Sequence, residues 1–144
     1  MMRKYVLFVF FALTLQSVKA QNFAGEGDQR LQGGVSFYGY GNGLKLTYDY
    51  GLTELFSVGG GATFILNNEY QNDFFIYGRG DIHLNNALNL PDTMDVYPGI
   101  ELGLLTSSRF GLHGHIGFRY HFSDNLGAFI ELGTNGSVGV VLKL

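Results

Sequence analysis

The residues of this 144-residue chain best suited to chemistry are four histidines, a few serines and a sparse, balanced set of charges. His113 and His115 are two positions apart. On a strand their imidazoles share a face at a separation of about 7 Å, which two ligands of one metal ion can use. His83 and His121 fall at the opposite end of the segments described below, so the four do not converge. A structural role is expected for them, with no metal and no cofactor. Ser107 and Ser108 lie shortly before His113, but no third group is placed to orient its imidazole, and there is no G-x-S-x-G elbow. No catalytic residue is assigned, and the chain is read as not an enzyme. Gly59-Gly60-Gly61 has no helix after it, so it reads as close strand packing or a bend, not as a phosphate loop.

Nine charges recur on the polar side of an alternating pattern: Lys45, Asp49, Arg79, Asp81, Asp95, Glu101, Arg119, Glu131 and Lys143. Four are positive and five negative. Side chains that alternate in this way are positioned by strands, whose faces have a period of two. From Gln29 onward the chain divides into eight such segments. Leu44, Leu46, Tyr48 and Tyr50 oppose Lys45, Thr47 and Asp49. Phe56 and Val58 oppose Ser57 and Gly59, and Ile76 and Ile82 oppose Tyr77, Arg79, Asp81 and His83. Val96, Ile100 and Leu102 oppose Asp95, Tyr97 and Glu101, and Ile116 and Phe118 oppose His115 and Arg119. Pro98 predicts a bulge or a strand start, because proline cannot donate to a ladder.

The first twenty residues stand apart. Arg3 and Lys4 precede an apolar run over 5–15, too short to span a bilayer, and Val18-Lys19-Ala20 fits signal-peptidase cleavage after Ala20. Residues 1–20 are thus expected to be a signal peptide, 21–28 a polar periplasmic lead-in and 29–144 the folded domain. The leader holds three of the nine Lys and Arg, which leaves six against twelve acidic residues, a net charge of −6. Nucleic acid is excluded as a partner, since its phosphates demand clustered cations. With no cysteine, thiolate metal sites and disulfides are excluded as well.

All 22 glycines follow the leader, Phe and Tyr number 13 and 9, and proline only two. That suits tightly turned strands and not helices, whose interiors glycine weakens by about 1 kcal/mol per residue. Eight short alternating strands close most simply into an antiparallel up-and-down β-barrel, which leaves no free edge. In a soluble barrel with a lipid-binding interior the apolar face would point inward. In a membrane barrel it points outward. The polar face carries only about one charge per strand, too few to solvate a surface. Its signs nearly balance, and the apolar-face aromatics gather at strand ends, as at two bilayer interfaces. An all-β, eight-stranded transmembrane barrel is expected. Arg79, Glu101, Arg119 and Glu131 should form a mid-height ring of alternating sign that plugs the lumen.

Asp49-Tyr50-Gly51-Leu52-Thr53-Glu54 resembles the strand-turn segment of Gram-negative outer-membrane barrels, and Phe118 to Gly133 resembles their penultimate hairpin. Gly25-Glu26-Gly27-Asp28 and Met94-Asp95-Val96-Tyr97-Pro98-Gly99 are similar to a small, functionally uncharacterised OmpA/OmpX-like barrel family of the Bacteroidetes. Ser137, Gly139, Leu142 and Leu144 match the signal read by the barrel-assembly machinery, with leucine where phenylalanine is commoner. The resemblance implies an outer-membrane location, with that machinery and outer-membrane lipids as partners. A monomer with a structural or interaction role is expected, because the outer loops are short. The competing readings are a lipid-modifying outer-membrane enzyme and a soluble secreted lipid-binding barrel.

Overall fold

The computed structural model describes residues 23–39, 42–66, 73–106 and 109–144. The expected leader, the loop at 67–72 and Ser107 and Ser108 lie outside them. Alternation is realised as eight strands: β1 Gln29–Tyr38, β2 Gly43–Gly51, β3 Phe56–Ile65, β4 Asp73–Ile82, β5 Met94–Leu105, β6 Phe110–His121, β7 Leu126–Gly133 and β8 Gly136–Lys143. Each strand pairs antiparallel with its neighbours in chain order, and β1 pairs with β8, so the sheet closes into an up-and-down barrel.

Closure gives every strand one face toward the lumen and one toward the surroundings, and the two are opposite in character to those of a soluble domain. Ile76 is 64% exposed and Leu112 63%, whereas Arg119 and Asp95 are fully buried. Leucines, valines and isoleucines cover the outer wall. Tyr48, Tyr50, Phe56 and Phe122 are exposed at the end with the turns β2–β3, β4–β5 and β6–β7, and Phe37 and Phe74 at the other. These will be called the turn end and the loop end. The arrangement is that of a transmembrane barrel, in which apolar side chains meet lipid and polar ones fill the interior.

Pro98 does not mark a bulge or a strand start. The β5–β6 register runs unbroken from Met94↔Tyr120 to Leu104↔Phe110. The ladder from β4 to β5 ends at Asp81↔Gly99, so the missing N–H falls just beyond it. The register shift against β8 lies instead in β1, between Ser36 and Tyr38. The lead-in is tied to the barrel. Its Gly27 N–H donates to the Gly51 carbonyl at 2.9 Å, and the Gly51 N–H returns to the Asp28 carbonyl at 2.8 Å. The segment therefore folds across the turn-end mouth.

Candidate functional site: the charged lumen

The interior is organised in three levels. At mid-height Arg79 and Arg119 converge on Asp49. Arg79 donates to it through Nε at 2.8 Å and Nη2 at 2.9 Å, and Arg119 through Nη2 at 2.7 Å. Arg79 Nη1 also reaches Glu131 at 2.9 Å, and Arg119 Nη1 reaches Asp95 at 3.0 Å. Gln32 accepts from Arg119 Nε. Tyr97 lies under the Arg119 guanidinium, 4.0 Å from ring centroid to Cζ, and its hydroxyl donates to Glu131 at 2.8 Å. A guanidinium over an aromatic face gains about 2 kcal/mol when both are desolvated.

Toward the loop end Lys45 bridges Glu101 at 2.7 Å and Glu131 at 3.0 Å, and His115 Nε2 contacts Asp81 at 2.7 Å. Thr47 and Tyr77 share a hydroxyl–hydroxyl bond of 2.5 Å. Above them Ile65 and Phe75 make the lumen apolar. His113 bonds to Asn135 and stands edge-on to Phe75. A cavity of about 10 Å³ between Lys45, Glu101 and Ser137 has room for about one water.

At the turn end Asp28 forks onto Arg30, Oδ1 to Nε at 2.6 Å and Oδ2 to Nη2 at 3.0 Å. Arg30 Nη1 donates to His121 Nε2 at 2.7 Å, and the Ala24 N–H donates to Asp28 at 2.9 Å. Burial alone would raise the Asp28 carboxyl, but the hydrogen bonds and charge of Arg30 outweigh it and hold it below its ordinary value. Phe23 stacks on His83, with centroids 3.6 Å apart and planes within 6°. His83 Nδ1 faces both Asp95 oxygens, at 2.9 and 3.1 Å, and His83 Nε2 lies 2.8 Å from Ser57 Oγ. A carboxylate only accepts, so Nδ1 carries a proton, and in the neutral imidazole the Ser57 hydroxyl donates to Nε2.

Eight of the nine expected lumen charges are buried where the alternation placed them. Lys143 is peripheral: its side chain keeps 21% exposure and lies 3.9 Å from Asp28. The expected ring of Arg79, Glu101, Arg119 and Glu131 forms only in part: Arg79 reaches Glu131 at 2.9 Å and Glu101 at 3.6 Å. Arg119 pairs with Asp49 and Asp95, and Glu101 pairs chiefly with Lys45. Across so narrow a lumen, side chains meet groups on distant strands as readily as on adjacent ones. Asp28 and Arg30 lie outside the expected set: Asp28 belongs to the lead-in, and Arg30 continues the polar face of β1 ahead of Gln32, Gly34 and Ser36. His113 and His115 keep separate partners, and among the described residues no group of three or more His, Asp or Glu is set to hold a metal. The assembly-signal residues lie on β8 or just past it, with Ser137 inside and Leu142 and Leu144 outside.

Comparison with known proteins agrees with this architecture. The family described as "Family of unknown function (DUF6646)" matches residues 10–138, and the chain belongs to that family. No curated protein matches the chain. Among solved structures, a designed protein reported under "De novo design of transmembrane beta-barrels" is similar, with a TM-score of 0.67 at 15% identity. The likeness covers 83% of this chain and 97% of that one, and it is a likeness of fold.

Proposed function

We propose that this member of a family of unknown function is a small integral barrel of a Gram-negative outer membrane, sealed by its own lumen side chains. Its role is structural or interactive, not that of a diffusion pore. The observation that carries this reading is the inversion of polarity. Arg30, Arg79 and Arg119 are buried inside a wall whose outer face is leucine, isoleucine and valine. Such a face is stable in lipid and would aggregate in water. A lipid-binding soluble barrel needs an apolar interior, and six carboxylates and four buried cations fill this one.

The same filling argues against conduction. A barrel of eight strands has an interior just wide enough for its own side chains, and here they are tied to one another across the lumen by ion pairs. Short connections argue against a receptor built on long loops. The lipids around the wall and, during biogenesis, the assembly machinery reading β8 are the partners this reading supplies, and the mature form is a monomer.

Two measurements test it together. Fractionation should place the chain in the outer membrane, with a band that migrates differently before and after boiling. The purified barrel in a planar bilayer should show no steady conductance. Recovery of unaltered protein from the soluble periplasm contradicts the location, and stable open channels contradict the seal.

A further inference from the structure

Ser57 on β3, His83 just past β4 and Asp95 on β5 are joined in series, Oγ to Nε2 at 2.8 Å and Nδ1 to Oδ1 at 2.9 Å. All three are buried, and the Arg119 guanidinium fixes the far oxygen of Asp95 at 3.0 Å. The tautomer this imposes has the proton on Nδ1 and a free lone pair on Nε2 aimed at a serine hydroxyl. That is the arrangement which activates a serine as a nucleophile. The Phe23 ring lies flat on the imidazole, with centroids 3.6 Å apart, and occupies one face of it.

We propose that Ser57, His83 and Asp95 form a latent acyl-transfer centre at the turn end of the lumen. Phe23 closes it in the resting barrel, and it takes carboxylic esters with a short or aromatic acyl group. The acyl preference follows from the plug: an aryl or small acyl group can take the place of the Phe23 ring against His83. Ser57 Oγ attacks the carbonyl carbon while His83 Nε2 takes the hydroxyl proton. The tetrahedral adduct expels the alkoxide, which leaves as the alcohol with that proton. Water then attacks the acyl-serine, His83 takes its proton, and Ser57 is restored as the carboxylic acid departs. Asp95 orients the ring and offsets the charge it gains. The proposal goes beyond the sealed-barrel reading and does not depend on which membrane holds the chain.

The test treats the full chain, folded in detergent micelles, with an alkyl fluorophosphonate, whose phosphorus a serine attacks with loss of fluoride. p-Nitrophenyl acetate turnover is followed in parallel. In Phe23→Ala the adduct should map to Ser57 and form at least about tenfold faster than in the unsubstituted chain, because the open fraction rises. Ser57→Ala in that background removes it, and His83→Gln slows it by about 100-fold or more. Should Phe23→Ala give no heat-shifted band, the milder Phe23→Leu opening combined with Ser57→Cys in this cysteine-free chain replaces it. Iodoacetamide must then alkylate that thiol faster with His83 present than with His83→Gln, and equal rates overturn the proposal. A folded Phe23→Ala barrel without an adduct on Ser57, or with one indifferent to His83, also overturns it and leaves the trio as a tie between strands. The sealed-barrel reading is judged separately, by conductance.

Discussion

Asp49 and Arg79 are joined by a two-pronged fork of 2.8 and 2.9 Å although their strands, β2 and β4, are not neighbours. They occupy one rung of the sheet, Asp49↔Gly59 and Gly59↔Arg79, and the residue between them has no side chain. A Cβ on Gly59 would lie 2.2 Å from the Tyr48 carbonyl oxygen and 2.3 Å from Asp49 Oδ1. The same device recurs around the barrel. Asp81 meets His115 across Gly99, Tyr97 meets Glu131 across Gly117, and Thr47 meets Tyr77 across Gly61. In each case a polar pair two strands apart closes over a glycine, so the lumen glycines are part of the charge network.

Gly59→Ala should therefore uncouple Asp49 from Arg79 and destabilise the barrel by about 3 kcal/mol, the cost of leaving a buried ion without its partner. Gly80→Ala is the matched control, because a Cβ there meets nothing within 4 Å. Urea titration in detergent micelles, read by the gel-shifted fraction, should move the midpoint for the first and not for the second. Equal effects would break the link between glycine and ion pair.

Asp49→Asn should be more damaging than Glu101→Ala. Asp49 serves two buried guanidinium groups, and both lose a charged partner in the variant. When Glu101 is removed, Lys45 keeps Glu131 at 3.0 Å. Thermal loss of the folded band should come at a clearly lower temperature in Asp49→Asn, by a margin of about 2 kcal/mol or more. The reverse order would contradict the pairing described.

The lead-in should come off the mouth in acid. The folded Asp28 carboxyl is held below its ordinary value of 3.8 by Arg30, so its contribution is present above that value and is lost as pH falls through the lowered one. The chain has no tryptophan, so Phe23→Trp is the sole indole emitter and reports the stack on His83. Its emission should shift to the red only below pH 3.8, as the lowered carboxyl titrates, and Asp28→Asn should show the red-shifted form throughout. Emission unchanged by either would mean that Asp28 does not hold the segment.

Much of this was legible in the sequence. Alternation alone located eight strands and both faces, because a period of two leaves no freedom about which residues share a side. Partner choice was not legible. It depends on how far each rung is sheared around a closed sheet, and on glycines that let a side chain pass over the intervening strand. Ser57, His83 and Asp95 were each visible as lumen residues, but the ladders pair Ser57 with Asp81 and stop at Asp81↔Gly99, so the trio meets only through the reach of the His83 side chain just past β4. The attachment of the lead-in was not legible either, because it rests on one ring, that of Phe23, and one carboxylate, that of Asp28, within a segment of polar composition.

The inversion of polarity is tested most directly by single cysteines placed in the otherwise cysteine-free chain, reconstituted in lipid bilayers. Outer-wall positions Leu46→Cys, Ile76→Cys and Leu112→Cys should react with a membrane-dissolved maleimide and stay inert to a charged, water-soluble one. Lumen positions Ser36→Cys, Thr47→Cys and Ser137→Cys should react with neither while the barrel is folded. Outer-wall cysteines labelled freely by the water-soluble reagent, or lumen cysteines labelled as fast as outer ones by the membrane-dissolved reagent, would contradict a sealed barrel with its apolar face in lipid.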